Sequence, residues 1–166
     1  MDSDLHERYF VVDSQAFVDL YQDSNTPKSF TNKLLPPLNN WCNNLEIALI
    51  DVYIKGQEND KFTVYNVSCD IIEPYQYGEG QCQIIRALGM IRLDIGVYGD
   101  EVKAENMYQS WDRVYHPVKR GIHNFIELSL SGMFPSNHLE QDLHHTAMLF
   151  HVRTVKSREQ QNLFMK

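Results

Sequence analysis

Alternation at period two is the feature that most limits what this chain can become. In Lys61–Ile72, Phe62, Val64, Asn66, Ser68 and Asp70 occupy one register, and Val67, Cys69 and Ile71 occupy the other. Side chains of a strand point to opposite faces in turn, so this pattern predicts a half-buried β-strand. The same reading predicts strands at Tyr9–Val12, Ser29–Leu34, Leu45–Ile54, Gln81–Leu88, Asn106–Tyr115, Ile122–Leu130 and Thr146–Val155. Turn-forming runs separate many of them: Gly56-Gln57-Glu58-Asn59-Asp60, Gly78-Glu79-Gly80, Gly96-Val97-Tyr98-Gly99-Asp100 and Gly132 to Pro135. Pro36-Pro37 is expected to end the second strand.

Eight short strands with few helical patterns predict an all-β sandwich. Gln15–Tyr21 and Ser136–His145 are the two stretches that read as short helices, the second with Leu139 and Leu143 at i, i+4. At 166 residues the chain reads as one domain, 1–166, with a short N-terminal segment (1–8) and a C-terminal tail (156–166). A domain of this size buries roughly 70% of its unfolded surface and needs no disulfide or metal staple.

Charge and composition exclude several functions. The net charge is −7, divided into −9 over residues 1–110 and +2 over 111–166. An acidic body argues against specific nucleic-acid binding, which needs a cationic surface. No apolar run approaches the roughly 20 residues that span a bilayer, so no membrane insertion is expected. Met1-Asp2-Ser3-Asp4-Leu5-His6-Glu7 is acidic and has no apolar core, so secretion is not expected and the thiols of Cys42, Cys69 and Cys82 should be reduced. The sequon Asn66-Val67-Ser68 falls inside a strand and is not expected to be glycosylated.

Groups that could carry chemistry have plainer readings. His138, His144, His145 and His151 form the densest histidine group, but their spacing matches no zinc pattern, and no H-x-H of the cupin type exists. Asp70 and Glu73 could be an acid–base pair, yet nothing convergent accompanies them. Asp70 is better read as a hydrogen-bonding residue of the sheet or a loop, and Glu73 as solvated. Cys69 reads as an inert core thiol. Trp41 and Trp111 read as core or sandwich-end packing. No cofactor and no metal are expected, and the chain is not expected to be an enzyme. Tyr75-Gln76-Tyr77 beside Gly78 and Gly80 offers large apolar area on a flexible backbone, so Tyr75 and Tyr77 are candidate interface residues. Leu163, Phe164 and Met165 end a polar tail and are the other candidates, as an arm that docks on a neighbour.

Several blocks, in order, resemble one known family. They are Asp23 to Thr31, Leu34-Leu35-Pro36-Pro37-Leu38, Leu45 to Val52, Tyr65 to Pro74, Ile84-Ile85-Arg86, Tyr115-His116-Pro117-Val118, Phe125-Ile126-Glu127-Leu128 and Leu149-Phe150-His151-Val152-Arg153. Together they resemble the penton-type small capsid protein of adintoviruses and Maverick (Polinton) elements, over roughly residues 9–155. The chain departs at Lys55–Asp60, where relatives often carry an insertion, and at Ser131 to Pro135, which replaces an Asp-rich turn. The resemblance implies an eight-stranded single jelly roll of two four-stranded antiparallel sheets. It implies a structural virion protein made in the host cytoplasm or nucleus. The protein would assemble as a homopentamer at the capsid vertex among double-jelly-roll major capsid proteins, with minor capsid or fibre proteins as further partners. A minor cement or spike-base protein on the same fold remains an alternative. So does a ligand-binding, lectin-like β-sandwich, because jelly rolls host both.

Overall fold

Alternating segments that each hide one face must pack in pairs, and here they do so as two sheets. The computed structural model describes residues 7–16, 25–56, 63–77, 83–85, 87–94, 103–106, 113–132 and 143–155. Its strands are β1 (Arg8–Asp13), β2 (Ser29–Asn39), β3 (Leu45–Gly56), β4 (Thr63–Cys69), β5 (Tyr75–Tyr77), β6 (Gln83–Ile85), β7 (Ala87–Asp94), β8 (Lys103–Asn106), β9 (His116–Pro117), β10 (Ile122–Gly132) and β11 (Leu143–Thr154). None of the described residues is helical.

One sheet has the order β1-β11-β3-β9 and the other β2-β10-β4-β7-β8, with every pairing antiparallel. Without the short edge strand β8 these are two four-stranded sheets. The chain enters them in the order of a single jelly roll. β5 and β6 form a separate hairpin. The fold is therefore the all-β sandwich that the alternation predicted, in the single jelly-roll order that the resemblance implied.

The inward residues are those the period-two pattern selects. Val67 and Cys69 of β4, Ile126, Leu128 and Leu130 of β10, and Phe30 and Leu34 of β2 meet Val12, Ile47, Ile54, Met148, Phe150 and Val152 of the opposite sheet. Each such aliphatic or aromatic side chain contributes about 1.5–3 kcal/mol when fully buried. Two bulges adjust the pleat of the β3–β11 pair. Opposite Leu149 and Phe150, β3 carries Ile50 as an extra residue, so its inward positions change from Ile47 and Leu49 to Val52 and Ile54. Opposite Lys55 and Gly56, β11 carries His144 as the extra residue.

The strand limits differ from expectation in four places. β2 continues through Pro36-Pro37 to Asn39, with a cis Leu35–Pro36 bond. It lies at the sheet edge and skips register against β10 there, so the missing proline N–H groups break no ladder. The predicted Gln81–Leu88 strand is replaced by β6 and the later β7, which pairs with β4. Of Asn106–Tyr115, only Asn106 lies in a strand among the described residues; residues 113–115 are extended and lead into β9. Leu143–His145, expected to be helical, begin β11, while 136–142, like 17–21 of the other expected helix, fall outside the described residues.

Candidate functional site

The outward residues of β1, β11 and β3 form rows across one sheet. Tyr9, His151 and Ala48 share a row, as do Val11, Leu149 and Asp51, and then Asp13, Ala147 and Tyr53. Three of these side chains are apolar or aromatic and well exposed: Tyr9 at 53%, Val11 at 59% and Tyr53 at 46%. Leu149 and Ala147 lie half-buried between them. An apolar strip therefore crosses the outer face of this sheet.

Backbone parity leaves one edge of the same sheet open. The Ser14 N–H donates to the Thr146 carbonyl at 2.8 Å, so the even-numbered residues of β1 face β11. The odd-numbered residues face away. At Asp13 the Asn32 side chain fills the edge, its Oδ1 accepting the Asp13 N–H at 3.0 Å and its Nδ2 donating to the Asp13 carbonyl at 2.8 Å. Tyr9 and Val11 lie on the same open side of β1.

His151 sits on this outward face, yet is only 2% exposed. Tyr9 stacks on its ring with centroids 4.3 Å apart, and Tyr115 approaches edge-on at 5.8 Å. The Tyr115 hydroxyl lies 2.6 Å from Nδ1. Glu7 Oε1 lies 3.0 Å from Nε2, off the line of the N–H bond, so this contact is an ion-pair approach rather than an aligned hydrogen bond. A carboxylate only accepts, so Nε2 carries the proton of the neutral ring and Nδ1 accepts from Tyr115. Arg113 Nη1 donates to the Tyr9 hydroxyl at 2.9 Å. Arg153 stacks 3.5 Å over the Tyr115 ring and donates to Glu46 Oε2 from Nη2 at 3.0 Å. Burial lowers the His151 pKa; Glu7 opposes that shift, and Arg113 and Arg153 add to it.

At the far end of the face, His145 Nε2 lies 2.8 Å from Asp13 Oδ1 and meets Tyr53 edge-on. His145 and His151 are about 20 Å apart along the strand at 3.3 Å per residue. His144, the bulge residue, is exposed. No metal-holding group of His, Cys, Asp and Glu occurs among the described residues; His138 lies outside them.

Asp70 and Glu73 take the plainer roles. Asp70 Oδ1 accepts the Glu127 N–H at 2.8 Å and the Asp70 carbonyl accepts from Lys119 Nζ, tying the end of β4 to its neighbours. Glu73 is exposed. Cys69 is buried, and desolvation pushes its pKa up to about 12, opposite to what a nucleophile requires. Cys42 and Cys69 are free thiols, and Cys82 lies outside the described residues.

Trp41 corrects an expectation: it is 63% exposed on the β2–β3 connection. Asn40 turns inward instead. Its Nδ2 donates to Val118 O at 2.7 Å and its Oδ1 accepts the Leu45 N–H at 2.9 Å, so the polar neighbour plugs the sandwich end. Trp111 lies outside the described residues. Of the candidate interface residues, Tyr75 and Tyr77 lie on β5 opposite Ile85 and Gln83, and Leu163, Phe164 and Met165 lie outside the described residues.

The fold and the face place the chain among single jelly-roll β-sandwich proteins with an aromatic outer surface. Comparison with family models, curated proteins and solved structures found no match.

Proposed function

We propose that the chain is a structural shell subunit, a penton-type capsid protein that assembles as a homopentamer at an icosahedral vertex among double-jelly-roll major capsid proteins. The observation that carries this reading is the complete jelly-roll strand order, reached by a chain whose blocks resemble the penton family in sequence order. The apolar strip of Tyr9, Val11 and Tyr53 supports it, because exposed apolar area on a folded domain marks a contact surface. Five copies joined head to tail close a ring at one rotation only, and burial of complementary flanks drives closure. The C-terminal arm with Leu163, Phe164 and Met165 would lie on an adjacent subunit or on the inner side of the shell.

Electron microscopy of the purified full chain tests the proposal. Fivefold rings support it. Isolated single sandwiches at high concentration contradict it, and glycan capture by such a monomer would favour the lectin-like alternative.

A further inference from the structure

The cover over His151 is built from two segments far apart in sequence, Glu7–Tyr9 and Arg113–Tyr115. Arg8 and Tyr9 pair with Val152 and His151 in the β1–β11 ladder, whereas the rest of the cover lies outside it. Residues 113–115 are in no strand, and Glu7 precedes β1. What holds both to one point on the sheet is the imidazole: Tyr115 on Nδ1, Glu7 at Nε2 and Tyr9 on the ring face.

The charges that face it are balanced. Glu7 lies ahead of β1, Arg113 on the covering segment, Arg153 on β11 and Glu46 on β3, giving two anions and two cations. Tyr9 and Tyr115 supply hydroxyls, and the remaining neighbour in the row is Ala48. A neutral ring leaves this charge balance intact. A protonated ring does not. It adds one positive charge to a balanced group in a place closed to water, a costly burial. It also makes Nδ1 a donor, so the Tyr115 hydroxyl must turn to accept from it.

We propose that these two segments form an acid-releasable clamp: neutral His151 holds them on the sheet, and its protonation frees them while the sandwich stays folded. Water then reaches the ring most directly by the cover lifting away, because the sheet behind it is packed core. Release also moves Tyr9, the first residue of the exposed apolar strip, so the contact face itself becomes acid-sensitive. The clamp belongs to the single chain and stands or falls separately from the shell reading.

Hydrogen exchange on the full-length protein tests it, reading protection factors from pH 7.5 to 5. Arg8 and Phe10, whose N–H groups face β11, report on the clamp. Leu130, whose N–H donates to Lys28 O at 2.7 Å in the other sheet, is the control. Protection at Arg8 and Phe10 should fall on acidification by more than protection at Leu130, which follows only the global stability. H151F should flatten the profile. Two milder variants carry opposite signs. R113Q removes a facing cation, so the His151 ring should titrate at higher pH and the acid loss should shrink. E7Q removes a facing anion, so titration should move lower and the acid loss should grow. Equal loss at Leu130, an H151F profile like that of the parent, or R113Q and E7Q moving the same way would each overturn the proposal.

Discussion

The two outer faces of the sandwich are built alike and dressed differently. On the β2–β10–β4 sheet the outward ladder positions Ser29, Thr31, Lys33, Glu127, Ser129, Asn66 and Ser68 are polar, and exposed Leu35, Ile122 and Phe125 gather toward one end of β2 and β10. Ser68 and Ser129 hydrogen-bond across the strands. On the β1–β11–β3 sheet the corresponding positions are Tyr9, Val11, Leu149, Ala147, Ala48 and Tyr53, with Asp13 and Asp51 among them and His151 beneath its cover. Both faces obey the same alternation, so folding alone demands only that the other half of each strand be apolar. The β1–β11–β3 face sets exposed Tyr9, Val11 and Tyr53 around half-buried Leu149 and Ala147 across three strands, and in the proposed reading that strip serves contact between subunits.

Val11→Arg should break this contrast most strongly. A cation on the strip should weaken subunit association by about 2–4 kcal/mol if Val11 sits at the centre of the contact. Thr31→Arg, on the polar face, should leave association unchanged. Sedimentation of both variants checks the pair, and equal effects would remove the distinction between the faces.

Asn32→Ala comes next. It leaves the N–H and carbonyl of Asp13 without their partner at the β1 edge, at a cost of about 1–3 kcal/mol in denaturant unfolding. Thr31→Ala, one residue away and outward, should cost well under that.

Acid should act through His151 and His116. His151 and His116 both have pKa values lowered by burial. A histidine with a depressed folded-state value binds protons more readily when unfolded. Stability is therefore full above the ordinary value of about 6.5 and falls as pH drops below it. Unfolding midpoints measured between pH 8 and 5 should show this slope. His116→Gln should reduce the slope and leave the part owed to His151.

The smallest effect belongs to the polar face. Replacing Ser68 and Ser129 together by Ala removes both partners of one hydrogen bond and should cost less than about 1 kcal/mol. A larger loss would mean that this face carries stability as well as solubility.

The strands were legible because their pattern is local: every inward residue of β4 and β10 can be picked out by counting in twos. The passage of β2 through Pro36-Pro37 was not, since it depends on that strand being an edge, which is a fact of topology. The late start of β7 was hidden in the same way, because its ladder partner on β4 decides it. The His151 cluster was the least legible. Its members lie at positions 7, 9, 113, 115 and 151, and the Arg113–Tyr9 bond alone spans 104 residues. Nothing in the spacing of the histidines marks His151 above His144 or His145. Only the folded sheet shows that one has a cover, one bonds Asp13 and one fills a bulge.

In the proposed reading the apolar face joins copies of this chain. Sedimentation equilibrium of the full-length protein, over a wide concentration range at pH 7.5, measures it directly. The account predicts a species of five times the 19.4 kDa chain, lost in Val11→Arg and kept in Thr31→Arg. A mass of one chain at every concentration would contradict it.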